Sequence, residues 1–560
     1  MLSQLSRSGF AQARRLPRLA AARAPALARL LSTAPRPAPV DAEEEEWESA
    51  FLEATESVSG ASNHQESADS LRALVRTGLL RHTDLRDRPE RFFKAHRLLA
   101  RHAVAHGPGF WIRFTVHYNL CFGTVLAVGG PEQVASLDTL QEAGEIGCFA
   151  LTEKLAGVQS GLVVQTTAEY DAASSEFVLS TPSVGSQKNW ISQGFTADRA
   201  VVLADLTVGG KRRGPHAFLM ELRQGGRLVD GVSVGDMGLK TTGNDLDNAW
   251  IALDQVRVPR SALLNAHASV SAQGEYAQCA AGIAPFEMIG QRLYTGRVAV
   301  AQASLAYRKK LFEVTKGYAD AKPLPNVALG PGAPSLPLSS IPQLKSLYAE
   351  AERTAAELET FVVRCEEKLA PLLRTGAAPD AALANAIAVA KVKCVEASID
   401  LCWRLKQEVG SYALMGDSGF AHLDFLSCCK FAEGDSRVLM QKMARDRFKL
   451  HLREAAAAAA ADAEPAEAYP NAAVGGHSGH RGFRGVPSLS PRTQWGDRKP
   501  TPCEEERRLC TLLATALAPA GKDKASQAAL WDENWETVYA LAEATMDRTM
   551  DPVRSEFMRD

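Results

Sequence analysis

The first forty residues contain no Asp, no Glu and no Lys. Their only charges are Arg7, Arg14, Arg15, Arg18, Arg23, Arg29 and Arg36, with Leu, Ala and Ser in the spaces. This composition predicts an organelle transit peptide over 1–40 and a mitochondrial matrix address; a disordered basic arm is the plainer alternative. Without those seven arginines the formal charge falls from -2 to -9. The chain as a whole lacks more. No apolar run is long enough to span a bilayer, so no transmembrane segment is expected. A net charge of -2 over 560 residues lacks the basic excess that a nucleic-acid partner requires. Ten cysteines occur without paired metal spacing, which predicts reduced thiols and no metal site. The final Phe557-Met558-Arg559-Asp560 is not a peroxisomal Ser-Lys-Leu type address.

What is present is an ordinary globular composition, 46% hydrophobic and 23% charged, in a length that suits two to four domains. An acidic cluster (Asp41, Glu43, Glu44, Glu45, Glu46, Glu48) opens the chain after the arginine-rich segment. Helical spacing of Leu71, Leu74, Val75, Leu79 and Leu80, and of Phe92, Phe93, His96, Leu98 and Leu99, predicts a helical domain over 41–147. The period then changes. Val163–Tyr170, Glu176–Leu179, Ala200–Ala204, His216–Met220 and Trp250–Leu253 read as short strands, predicting a β barrel or sandwich over 148–265. Over 280–453 the helical period returns in four long segments: Gly296–Tyr318, Ile341–Leu373, Ala381–Val409 and one after Glu433. Leu347, Ala351, Ala355, Leu358, Phe361 and Val362 form one stripe, and four such segments predict an antiparallel bundle. Residues 454–500 are an alanine run followed by Gly, His and Pro, read as a linker in which His477 and His480 are solvated rather than ligands. Residues 501–560 read as a helical tail, with Pro502 and Glu504 to Glu506 marking its start. The fold class is therefore α+β: an N-terminal helical domain, a middle β barrel or sandwich, a C-terminal four-helix bundle and a helical tail.

One stretch carries a distinctive chemical signal. In Cys428-Cys429-Lys430-Phe431-Ala432-Glu433-Gly434-Asp435-Ser436, a carboxylate precedes a glycine between mostly apolar flanks. A glycine there marks a backbone position that something must approach closely. A carboxyl group in a poorly hydrated pocket becomes a better base near neutral pH. A salt-bridged glutamate at a helix start is the alternative that the stretch alone leaves open.

Several motifs in order resemble the acyl-CoA dehydrogenase and acyl-CoA oxidase flavoprotein family, over about Gly130 to Arg453. They are Gly130-Pro131-Glu132-Gln133 with Gly144 to Glu153, then Lys188-Asn189-Trp190-Ile191-Ser192. Val234 to Lys240, Leu246-Asp247-Asn248 and Asp254 to Pro259 are similar to the oxidase branch in particular. The resemblance implies FAD at the junction of β domain and bundle, contacted by Phe149, Leu151 and Thr152, with Trp190 covering its ring and Ser192 near N5. A barrel-core tryptophan is the plainer reading of Trp190. The resemblance further implies that Arg297 on a bundle helix, Lys322, Gln407 and Gly410 contact cofactor, the last three across a subunit boundary in a homodimer or homotetramer. Lys322 stands where the family usually has Arg, keeping the charge without the fork. Glu433 matches the base that removes the α-proton of a fatty acyl-CoA, giving a trans-2-enoyl-CoA; Ser160 and Gly434 match substrate contacts. Electrons are expected to pass to an electron-transfer flavoprotein or to O2. The family's Thr-Glu-Pro-Gly is here Thr152-Glu153-Lys154-Leu155, and that departure, with the added tail, leaves a non-catalytic scaffold or assembly protein of the same fold as the competing reading.

Overall fold

A computed structural model describes residues 42–56, 61–157, 163–278, 285–325, 334–461, 500–551 and 555–559. The arginine-rich segment, Ser160, His477 and His480 lie outside them. The chain divides into units Met1–Glu53 and Ala54–Asp560. In the first, Trp47 stacks on Phe51 with ring centroids 5.2 Å apart.

The second unit begins with helices α1 (His64–Arg76), α2 (Pro89–His106), α3 (Gly109–Thr115), α4 (Phe122–Val128) and α5 (Pro131–Ala143). Leu71, Leu74 and Val75 bury the inner face of α1, which ends at Arg76; Leu80 is buried beyond it. Between α3 and α4 the helix widens into a π segment, Val116–Cys121, so that 109–128 is one continuous rod. Arg113, His117 and Asn119 on this rod are all fully buried.

The β domain is a sandwich of two sheets. The larger holds β1 (Gly147–Ala150), β2 (Thr167–Asp171), β3 (Glu176–Ser180), β5 (Arg199–Val208), β6 (Lys211–Glu221) and β9 (Val256–Pro259), in the order β1-β5-β2-β3-β9 with β6 also on β5. The smaller holds β4 (Lys188–Ser192), β7 (Val232–Asp236) and β8 (Asn248–Leu253), with β8 central. Strand β5 explains the layering. Its side chains alternate faces: Ala200, Val202, Ala204 and Leu206 join the core shared with Ile191, Ile251 and Leu253 of the smaller sheet. Val201 and Leu203 point the other way, into a cluster with Phe122, Val125 and Leu137 of the helices. The sheet is covered on both faces, so β5 reads as an unbroken apolar run.

The expected strand Val163–Tyr170 begins only at Thr167. Gln165 and Thr166 donate their N–H groups to the Glu153 carboxylate, at 2.8 and 2.9 Å, instead of to a ladder.

The bundle comprises α6 (Pro285–Ala321), α7 (Pro342–Thr375), α8 (Ala381–Glu408) and α10 (Ser436–Ala461), with the short α9 (Phe425–Phe431) before the Glu433 turn. Helix α6 starts before the expected Gly296, and α10 runs through the alanine tract that the sequence assigns to the linker. Alanine has the highest helix propensity, so the tract simply continues the helix. The α7 stripe Leu347, Ala351, Ala355, Leu358, Phe361 and Val362 is buried as a unit. In the tail, Thr501 caps α11 (Pro502–Leu517) in a capping box with Glu504. Helix α11 packs on α12 (Trp535–Met550), which rests on α10 and α8. The nearly sealed Glu506 accepts from Arg447 of α10 and Arg548 of α12, joining tail to bundle. Among the described residues no helix is long and apolar enough to cross a membrane, and no cluster of His, Cys, Asp and Glu is set to hold a metal.

Candidate active site

Glu433 lies on the turn between α9 and α10, its backbone left-handed at φ +58°, followed by Gly434 at φ +97°. Two cations hold this turn. Arg297 Nε donates to the Glu433 carbonyl at 3.0 Å. Lys391 Nζ donates to the Gly434 carbonyl at 2.9 Å, the Lys430 carbonyl at 2.6 Å and Ser436 Oγ at 3.1 Å. The Glu433 side chain is only 8% exposed. Gly296 makes its place: a Cβ there would stand 2.1 Å from Glu433 Cδ. Asn119 Nδ2 donates to Oε1 at 3.4 Å, and Oε2 accepts no hydrogen bond among the described residues. Burial raises the Glu433 carboxyl to about 7, against the opposing pull of Arg297, Asn119 and Lys391. A buried carboxyl with an unpaired oxygen and a titration near neutrality can accept a proton from a weak acid placed against it. The salt-bridged surface glutamate of the alternative reading is not what the chain builds.

The other motif residues are on the sheets. Phe149 and Leu151 lie half-buried at the end of β1, packed on the helical cluster, and the Thr152 side chain is exposed. Asn189 N–H donates to the Thr152 carbonyl at 2.8 Å, which brings β4 beside β1. Trp190 follows at φ +57° and is 58% exposed, so it is no core aromatic. The cause is a bulge: in the β4–β8 register Ala249 faces Ile191 while Ile251 faces Lys188, leaving Asn189 and Trp190 opposite Trp250 alone. A tryptophan held left-handed costs roughly 1–3 kcal/mol, a strain typical of functional sites. Ser192 Oγ accepts from Asn248 Nδ2 at 3.1 Å.

Sequence reasoning missed what braces these groups. Lys188 and Glu153 form a pair 2.9 Å apart with both side chains sealed from solvent. Lys188 Nζ also donates to the carbonyls of Leu151 and Leu203, at 3.2 and 2.7 Å. The lysine of the Lys-Asn-Trp-Ile-Ser motif thus ties the Trp190 bulge to the Thr152 segment. Burial lowers Lys188 to about 8, with Glu153 opposing. Arg113 donates to Asp247 Oδ1 at 3.0 Å and Thr196 Oγ1 at 2.9 Å, fastening the rod to the β domain. Lys391 had one available signal, a lone charge inside the apolar run Ala388-Val389-Ala390-Lys391-Val392.

Lys322, Gln407 and Gly410 are exposed and belong elsewhere. Lys322 follows α6, and Gln407 and Gly410 close α8. Tyr318 and Tyr412 stack at 3.7 Å, bringing these two helix ends together. Twenty-six residues of helix separate Lys322 from Gly296, about 39 Å at 1.5 Å per residue. Lys322 thus stands far from Glu433 within one subunit.

No protein-family model matches the chain. Acyl-coenzyme A oxidase 2 of Yarrowia lipolytica is 30% identical over 380 residues, 63% of this chain and 52% of that protein. Peroxisomal acyl-coenzyme A oxidase 3 of Homo sapiens is 34% identical over 200 residues, 34% of this chain and 28% of that protein. The chain therefore matches about half the length, or less, of these curated relatives. Among solved structures, acyl-CoA oxidase 1 from Yarrowia lipolytica aligns with a TM-score of 0.65 at 21% identity, over 94% of this chain and 75% of the other. Acyl-CoA oxidase-2 of Caenorhabditis elegans, bound with FAD, ascaroside-CoA and ATP, aligns with a TM-score of 0.67 at 19% identity, over 94% of this chain and 74% of the other. These likenesses extend the fold over the α+β core and the tail alike. The chain is thus similar in sequence to acyl-CoA oxidases over about half of their length or less, and it shares their fold.

Proposed function

We propose that this protein is an FAD-dependent enzyme that oxidises a fatty acyl-CoA to a trans-2-enoyl-CoA, a step of fatty acid β-oxidation. The observation that carries the reading is the Glu433 carboxyl group: buried, raised to about 7, fixed on a left-handed turn and unpaired at Oε2 among the described residues. A saturated thioester gives up its α-proton only to a desolvated base whose product enolate is stabilised. Glu433 Oε2 takes that proton. The Glu433 main-chain N–H would meet the thioester carbonyl, on a turn that Arg297 and Lys391 hold through the carbonyls of residues 433 and 434. Phe149, Leu151, Thr152, Trp190 and Ser192 would hold the flavin ring, with Gly434 beside the substrate and Arg297 bracing the turn. A bound flavin supplies the acceptor for the β-hydrogen and its electron pair. Ser160 is kept as a substrate contact on motif position alone.

The oxidase names of the relatives favour O2 over an electron-transfer flavoprotein as final acceptor. Lys322, Gln407 and Gly410, at the far end of the bundle, fit a cofactor shared across a homodimer or homotetramer. The address is a separate proposal: the arginine-rich 1–40 favours the mitochondrial matrix, whereas the human relative is named peroxisomal. Import of a 1–40 fusion into isolated mitochondria tests it. The activity is tested by anaerobic addition of short, medium, long and branched acyl-CoAs to FAD-loaded protein. Bleaching of the flavin is expected with one class, followed in air by one peroxide per enoyl-CoA. No bleaching with any of them would leave the scaffold reading.

A further inference from the structure

The buried polar side chains of the rod 109–128 include Arg113, His117 and Asn119, and the first two serve the β domain. Arg113 reaches Asp247 and Thr196, and His117, one turn on, accepts at Nδ1 from the Gly147 N–H at 3.3 Å. Asn119 leaves the rod on another side. It is fully buried within the π segment and its amide meets Glu433, 314 residues away, at Oε1. π turns insert one residue into a helix and recur at functional sites. This one lets a single rod brace the sheet through His117 and the Glu433 turn through Asn119.

We propose that Asn119 is a positioning residue for Glu433: its amide fixes Oε1, which leaves Oε2 as the oxygen aimed at the substrate. The proposal deepens the acyl-CoA reading and rests on it for the word substrate; the Asn119–Glu433 coupling itself does not. The charged groups that face Glu433 are Arg297 from α6 and Lys391 from α8, with Asp435 acting on Lys391 from behind. All are set by other elements, so the contribution of the rod can be removed alone. A donor to Oε1 favours the charged carboxylate. Its loss leaves desolvation less opposed.

The test is a pH titration of the Glu433 carboxyl by infrared difference between protein carrying Glu433 and the matching Glu433→Gln form. It is run without flavin on wild type, Asn119→Leu and Asn119→Asp. The titration is expected to move up by about half to one pH unit in Asn119→Leu. It should move further in Asn119→Asp, which sets two carboxyl groups together. A titration unmoved in whichever variant folds overturns the proposal. With FAD and acyl-CoA, the same variants should shift the pH profile of bleaching in the same direction and slow it about tenfold at pH 7, at unchanged FAD affinity. A shifted titration in a protein that no acyl-CoA bleaches would overturn the catalytic reading and leave Asn119 as the residue that orients Glu433.

Discussion

Gly296 and Glu433 occupy complementary space: the glycine lacks a Cβ where the carboxyl carbon stands, the two atoms being 2.1 Å apart if one were added. Gly296→Ala is therefore expected to evict the carboxyl group while α6, which gains an alanine, stays folded. FAD binding should persist and acyl-CoA bleaching should fall by at least a hundredfold. Glu433→Gln should behave alike, keeping FAD and losing bleaching. Stopped-flow absorbance on both proteins checks this.

Removing one partner of a sealed ion pair strands the other charge. Glu153→Gln or Lys188→Met should each cost about 3–5 kcal/mol of stability. The double variant should cost less than the two together, because no charge is left behind. Urea unfolding of all three gives the comparison.

Trp190 sits in a conformation that suits glycine. Trp190→Gly should relieve about 1–2 kcal/mol of strain at the bulge. The thermal midpoint should rise or hold while FAD affinity drops at least tenfold. Equal loss of both would mean the indole packs for stability rather than for a ring.

Acid should weaken the fold from the rod outward. Burial lowers His82 and His96 to about 4 and His117 well below its usual value. The His82 and His117 Nε2 atoms are 2.9 Å apart, and His82 Nδ1 meets the Leu137 carbonyl at 3.1 Å. With Gly147 N–H donating to His117 Nδ1, one neutral arrangement satisfies every partner: His117 Nε2–H to His82 Nε2, and His82 Nδ1–H to Leu137. The folded state binds fewer protons than the unfolded chain between pH 6.5 and about 4. Stability is full above pH 6.5 and is lost as pH falls, by up to ~1.4 kcal/mol per unit for each histidine. Urea midpoints at pH 7, 6 and 5 should fall in that order, less steeply in His96→Gln, which cannot charge.

The fold was legible because its signals are local. Apolar periods gave α7 and α8 nearly to their ends, but they missed the start of α6 and the end of α10, and the Glu433 turn announced itself by a carboxylate before glycine. The braces were not legible, because their partners are distant in the chain: Glu153 is 35 residues from Lys188, and Asn119 is 314 from Glu433. Trp190 was ambiguous for another reason. An exposed and a buried tryptophan look alike in sequence, and only the two-against-one register with Trp250 turns this one outward.

The widened turn at Val116–Cys121 also fixes how many residues the rod can hold. Each residue of an α-helix advances the direction of its neighbours by about 100°. Deleting a single residue there would swing Asn119 away from Glu433 or His117 away from Gly147, and no side-chain replacement could restore both. A substitution there loses one brace, whereas a change in length loses the geometry of both.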